Sequence, residues 1–241
     1  MRQSTAFIAD IHLCEEQPAI TQAFIHFIEK EAPQLDSLYI LGDLFDYWIG
    51  DDATSPYHEY IMKKLYTLST KTAWYFLPGN RDFLIGDYFA KATGCTLLPE
   101  IAIREIQGHR VLLTHGDLLV QQDYGYRVFR YFVQNPLNKK LFLSLPATWR
   151  TYIARTLRSA SYNATQKKTD RHFTVSFDAI HKTLSKQDAQ LLIHGHIHRL
   201  SIQNSIGFMR NPFIALSLPD WRGDEQRVLL VDQGNVWVET V

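Results

Sequence analysis

Five short pieces of this 241-residue chain carry side chains of the kinds that bind metal ions. They are Asp10-Ile-His12, Gly42-Asp43-Leu-Phe-Asp46, Gly79-Asn80-Arg81-Asp82, His115-Gly116-Asp117 and Gly195-His196-Ile-His198. Each is weak alone, since a single histidine is more often a satisfied core or surface residue. Together they are informative, because each follows or ends an apolar run that reads as a strand. On an extended segment residues i and i+2 point the same way, so Asp10 with His12, and His196 with His198, can each converge on one centre. Mixed imidazole and carboxylate donors suit Mn, Fe or Zn, and a neutral Asn oxygen limits the negative charge. Two ions ~3.5–4 Å apart need a shared carboxylate and a bridging water, the arrangement of phosphoester hydrolases. Asp43 is the expected shared carboxylate. Tyr39-Ile-Leu-Gly-Asp43 is an apolar run that ends in an acid, as a buried parallel strand ends at the ligand-binding edge of an α/β sheet.

Strands must carry these pieces to one edge. Thr5 to Ala9, Asp36 to Leu41 and Lys71 to Leu77 read as strands, separated by helical patterns over Pro18 to Lys30 and Tyr57 to Ser69. Strand and helix thus alternate, which predicts a layered α/β sheet. Arg110–Thr114, Gln190–Ile193, Phe213–Leu218, Arg227–Val231 and Val236–Val238 are further expected strands. Their density near the end suggests a mixed sheet with hairpins, Gln233-Gly-Asn235 being one turn. Gly108-His109-Arg110 reads as an ordinary turn, and His194 as a structural residue within a strand.

The stretch 124–184 breaks the alternation. Its aromatics Tyr124, Phe129, Tyr131, Phe132, Phe142, Trp149 and Tyr152 fall at helical intervals, and Pro136 and Pro146 divide it into short helices. It reads as a helical insertion over the C-terminal edge of the sheet, between core segments 1–123 and 185–241. Most of its aromatics are expected to pack the insertion's own core.

The chain has 25 basic and 25 acidic residues, so bulk charge names no partner. Between Gln121 and Asp170, however, nine Lys or Arg face two Asp, a local balance of +7 against −7 elsewhere. That asymmetry favours a polyanionic substrate, a membrane surface or nucleic acid. Cys14 and Cys95 have no CxxC spacing, which fits a reduced, cytoplasmic protein. No apolar run approaches the ~18 residues of a spanning helix, so membrane contact is expected to be peripheral.

The order D-x-H, G-D-x-x-D, G-N-x-D, H, G-H-x-H resembles the calcineurin-like metallophosphoesterases over nearly the whole chain. The resemblance implies an αββα sandwich of mixed sheets flanked by helices, with Asp10, His12, Asp43 and His198 on one metal. Asp43, Asn80, His115 and His196 would hold the other. Asp46 and Asp117 read as acceptors that orient ligands. Most of the superfamily has His where Arg81 stands here. Arginine offers phosphate a fixed fork but cannot donate a proton to a leaving group, which favours a pyrophosphate over an alkyl ester.

Gly79-Asn-Arg-Asp-Phe-Leu84, the run Leu41 to Asp52 and Leu13-Cys-Glu-Glu16 are similar to one family within that group. Its members are Mn-dependent pyrophosphatases of lipid A biosynthesis that cut UDP-2,3-diacylglucosamine into UMP and 2,3-diacylglucosamine 1-phosphate. The resemblance implies two Mn²⁺ ions, a lipid-binding helical cap, and a monomer peripheral on the cytoplasmic face of the inner membrane. It implies catalytic roles for Asp43, Asn80, Arg81 and His115, with a metal-bridging hydroxide attacking the uridine-proximal phosphorus. Substrate contacts fall on Asn80, Arg81, Asp123, Arg158, Ser161, Thr165, Lys168 and His196. At Thr165 the family commonly has Asn, with Asn163 near by, and Pro219-Asp-Trp221 departs from Gly-Asp-Trp. The alternatives are another two-metal phosphodiesterase or nuclease, and a non-enzymatic metal-binding scaffold.

Overall fold

The computed structural model describes residues 4–120, 124–166, 175–205, 212–221 and 226–241, with side chains from 160 to 166 outside that description. Two sheets face each other. The first has β11 (Asn235–Thr240), β10 (Arg227–Asp232), β1 (Thr5–Ile8), β2 (Ser37–Ile40), β3 (Ala73–Phe76) and β4 (Thr96–Leu97), in that order. Strands β1 to β4 run parallel, and the β10–β11 hairpin adds antiparallel to β1. The second sheet runs β5 (Ile101–Ile106), β6 (His109–Thr114), β7 (Leu191–His194), β9 (Ile214–Ser217) and β8 (Ser201–Asn204), with β6, β7 and β9 parallel.

Strand alternation sorts the core into layers. In β1, Ala6 and Ile8 face helices α1 (Pro18–His26), α2 (Pro56–Ser69) and α3 (Asp87–Thr93), whereas Phe7, with Ala9 just past the strand, faces the second sheet. Between the sheets lie Tyr39, Leu41, Leu77, Val111, Leu113, Ile193 and Leu218. On the far side, Leu112, Leu192 and Ala215 meet Ala179, Ile180 and Leu184 of α7 (Phe177–Lys186). The result is helix, sheet, sheet, helix, the expected sandwich.

Several expected elements change in detail. The first helix is α only to His26 and continues as a π turn over Phe27–Glu31, which turns the adjacent Phe27 and Ile28 both into the core. Phe24 and Phe27 meet the fully buried Trp221 edge-on at 5.9 and 5.6 Å. Removing that indole should cost about 3–5 kcal/mol. The boundary drawn at residue 184 falls inside α7, which packs on the second sheet and so belongs with the core.

What stands apart is α4 (Tyr124–Gln134), α5 (Pro136–Leu143) and α6 (Ala147–Gln166). No described residue of α4 or α5 is buried, so the expectation that the aromatics pack a core of their own is overturned. Tyr131, Phe132, Leu137, Trp149 and Tyr152 are each more than 60% exposed. Three arginines of α4 and α6 tie this group of helices to the core instead. Arg130 pairs with Asp117 and Glu100, Arg150 with Asp52, and Arg158 with Asp46.

Candidate metal centre

Every donor singled out above sits just beyond the C-terminal end of a parallel strand: β1, β2, β3, β6 or β7. The loops are laced together by their backbones. Asp10 N–H donates to the Gly42 carbonyl at 3.1 Å, and the Ile11 and His12 N–H groups donate to Asp43 at 3.0 Å. Gly195 N–H donates to His115 at 2.8 Å. Asp82, fully buried, accepts from Gly79 and Leu44, each at 2.8 Å, and from Asp43 and Phe45. It staples the Asp43 loop to the Asn80 loop.

The donor pairs do not converge through an extended backbone. Asp10, His12, Asp43, His196 and His198 all have φ between 54° and 72°, the left-handed region that non-glycine residues rarely occupy. Such conformations persist where the surroundings over-determine them, and they gather at functional sites. Two glycines make room. A Cβ on Gly42 would lie 2.6 Å from the Gly79 Cα and 2.7 Å from His115 Nδ1, and one on Gly79 would fall on the Asp43 carboxylate.

Two donor groups result. In the first, His198 Nε2 lies 3.2 Å from Asp10 Oδ1 and 3.5 Å from His12 Nε2. In the second, Asn80 Oδ1 lies 2.9 Å from His115 Nε2 and 3.1 Å from His196 Nδ1. Asp43 stands between them: Oδ1 is 3.7 Å from His115 Nε2, and Oδ2 is 3.9 Å from His12 Nδ1. Asp10 with His12 and His198, and Asp10 with Asp43 and His115, each form a cluster able to hold an ion.

The outer shell fixes the ring orientations. His115 Nδ1–H donates to the Leu41 carbonyl at 2.9 Å, which leaves Nε2 for the centre. His198 Nδ1 is 3.3 Å from Asp220, whose neighbour Trp221 donates its backbone N–H to the Asp10 carbonyl. Asp10 Oδ2 accepts from the His196 backbone N–H at 2.8 Å, while the buried Oδ1 faces His198 Nε2 at 3.2 Å and His12 Nε2 at 4.0 Å. A buried carboxylate oxygen facing two imidazole nitrogens is what a divalent cation would satisfy. The donor set fits metal ions.

Charge says the same. Burial favours neutral imidazoles, yet Asp43 and Asp10 push His115 up to about 9, and Asp10 and Asp220 push His198 up to about 10. Burial and the His115 charge hold His196 well below its usual range. Buried Asp43 is raised, whereas His198 and its neighbours hold Asp10 down against the cost of burial. The carboxylates demand positive charge at this point, and protons meet that demand where no cation does.

All seven expected metal ligands therefore come together. Arg81 lies beside them, its Nε 3.5 Å from Asp43 and its Nη1 3.3 Å from Asp46. Arg158 Nε reaches Asp46 at 2.7 Å. Asp46 and Asp117 thus take arginines rather than imidazoles, Asp117 holding Arg130 at 2.7 Å and the Tyr126 hydroxyl at 3.1 Å. His194 is buried, with Nδ1–H donating to the Gly195 carbonyl at 2.8 Å, and burial lowers it to about 4. Asp123 and Lys168 lie outside the described residues, as do the side chains of Ser161, Asn163 and Thr165. Sequence reading missed Asp220 as a partner of His198. It also missed Tyr126, whose ring lies 5.9 Å from that of His196. Only the short Pro219-Asp-Trp221 run marked the former.

A family model described as calcineurin-like phosphoesterase matches residues 4–200. A UDP-2,3-diacylglucosamine hydrolase of Proteus mirabilis is 45% identical over 199 residues, covering 82% of this chain and 83% of that one. A protein of the same name from Escherichia coli O7:K1 is 42% identical over 226 residues, covering 93% and 94%. One from Photorhabdus laumondii is 46% identical over 196 residues, covering 81% and 82%. With two donor groups joined by one strand-end carboxylate and a match over most of its length, this chain belongs to the calcineurin-like phosphoesterase family.

Proposed function

We propose that this enzyme hydrolyses the pyrophosphate of UDP-2,3-diacylglucosamine, with two Mn²⁺ ions, to UMP and 2,3-diacylglucosamine 1-phosphate. The observation that carries the reading is Asp43, whose two oxygens face separate donor groups beneath an arginine-bearing helical roof. Asp10, His12, Asp43 and His198 would hold one ion, and Asp43, Asn80, His115 and His196 the other. Bound there, the ions supply positive charge for phosphoryl oxygens and lower the pKa of a water towards neutrality.

The chain's own residues do the rest. Arg81, held by Asp43 and Asp46, presents its guanidinium to phosphate oxygens and supports charge that develops in the transition state. It is a poor proton donor, which suits a leaving group that is itself a phosphate monoester. Water adds to the uridine-proximal phosphorus and the bond to the bridging oxygen breaks, so one water is consumed per UMP released. The curated relatives named for this substrate support the assignment.

Helices α4 to α6 supply the lipid-facing part of the reading. Their exposed aromatic and aliphatic side chains, interleaved with Arg and Lys, suit acyl chains and an anionic bilayer surface at the cytoplasmic face of the inner membrane. No helix among the described residues is long and apolar enough to cross a membrane. The test is to supply Mn²⁺ and follow UMP release from UDP-2,3-diacylglucosamine, with DNA and bis-p-nitrophenyl phosphate in parallel. Hydrolysis of the nucleotide lipid alone is the expected result. Faster cleavage of DNA or the diester would replace the reading with a general phosphodiesterase.

A further inference from the structure

We propose that Asp46 is a positioning residue for the phosphoryl site, holding one arginine of the core and one of the helical roof in a fixed frame. This inference rests on the reading of Arg81 and Arg158 as phosphate-facing groups. Asp46 is 2% exposed and lies three residues beyond the shared carboxylate Asp43. Arg81 Nη1 approaches its Oδ1 at 3.3 Å, and Arg158 Nε approaches its Oδ2 at 2.7 Å. Two guanidiniums thus meet one buried carboxylate, one oxygen each.

The placement of the charges gives the arrangement its use. Asp46 keeps two guanidiniums next to the metal centre, where a diphosphate would bring several negative charges. The Arg81 side chain is 22% exposed and that of Arg158 38%, so both keep an open edge while the buried edge is pinned. A guanidinium pinned on one edge loses little entropy when the other meets phosphate. Without the carboxylate, two like charges would repel, and Arg81 has Asp43 only 3.5 Å away as an alternative partner. Orientation of metal ligands falls to other groups, since the Leu41 carbonyl holds His115 and Asp220 holds His198. Asp46 acts on the arginines.

The pairing also reaches across the molecule. Arg81 lies in the loop after β3, and Arg158 lies on α6. The roof helix is therefore set against the centre by the same carboxylate that aims Arg81, so roof placement and phosphate-fork geometry are one variable.

Asp46→Asn, which keeps shape and removes charge, tests this in the Mn²⁺-loaded protein. The expected kcat/KM for UDP-2,3-diacylglucosamine falls by about thirty-fold with bound Mn²⁺ unchanged, and Asp46→Glu restores most of the loss. In an Arg158→Gln background the same Asn change should cost about ten-fold or less, because the Arg158 arm of the frame is already gone and only the Arg81 arm remains to be released. Inorganic phosphate affinity of the Mn²⁺-loaded protein, read by calorimetry, should fall in parallel, and it needs no turnover. If the wild-type protein does not hydrolyse the nucleotide lipid but phosphate affinity still falls in Asp46→Asn, the functional reading fails and this inference stands. Asp46→Asn with unchanged phosphate affinity and kcat/KM, with lost Mn²⁺, or with an undiminished cost in the Arg158→Gln background overturns it. Should Asp46→Asn not fold, Arg158→Gln alone must lower phosphate affinity, and wild-type affinity there overturns the inference equally.

Discussion

Asp82 shows how a buried carboxylate that holds no ion can still shape a metal centre. Its two oxygens accept from four backbone N–H groups of the loops that carry Asp43 and Asn80. Asp82→Asn would turn one arm into a donor facing those N–H groups, a loss of about 3 kcal/mol readable in thermal unfolding, together with weaker Mn²⁺ binding. Protons tell a related story at His115 and His198. With pKa values raised to about 9 and about 10, both carry a proton at pH 7 in the metal-free chain. Metal must displace those protons, so Mn²⁺ affinity should rise with pH from 7 towards 9. Calorimetry in two buffers of different ionisation enthalpy would count the protons released. Donor identities were legible in the sequence because ligand chemistry restricts residue type. The left-handed backbone at five of them was not, since Asp and His do not announce a positive φ as glycine does.

His58 carries a prediction at the scale of one helix. Its Nδ1 accepts from Ser55 N–H at 3.2 Å, while Ser55 caps the start of α2, and its ring packs 4.9 Å from both Phe45 and Trp48. Burial lowers its pKa from 6.5 to about 4. The unfolded chain therefore binds this proton more readily, and the neutral ring's contribution is complete above about pH 6.5 and lost as pH falls towards 4. The change is at most about 3 kcal/mol, and His58→Gln should flatten that limb of the stability profile measured by urea unfolding. Short apolar runs such as β1 and β2, and the helical spacing of α2, were legible in advance. The short α3 and the two-residue β4 were not, because they are too brief to show a pattern; β8 is Ser-Ile-Gln-Asn, with a single apolar residue, and β5 mixes charge into its run as Ile-Arg-Glu-Ile. The exposed aromatics of α4 and α5 misled for a different reason: helical spacing shows that a face exists and not what covers it.

Across the whole molecule, a stiff layered core carries a roof attached mainly by charge. Among the described residues, the three hydrophobic clusters contain no side chain from α4, α5 or α6. Arg150, 3% exposed, donates to the Ile49 carbonyl at 2.7 Å and to Asp52. Arg150→Ala should therefore loosen the roof more than the core, with proteolysis in 124–166 accelerated by about ten-fold and the cooperative unfolding of the sandwich little changed. The exposed apolar roof with its basic residues should also bind anionic vesicles, less so as salt rises, and Trp149→Ala with Tyr152→Ala should weaken that binding. The most direct test of the account is Mn²⁺ stoichiometry by equilibrium dialysis, with UMP release followed on the same samples. Two ions per wild-type chain, with Asp43→Ala losing full occupancy and turnover together while staying folded, is the predicted result. An Asp43→Ala protein that still binds two ions and releases UMP at the wild-type rate would contradict it.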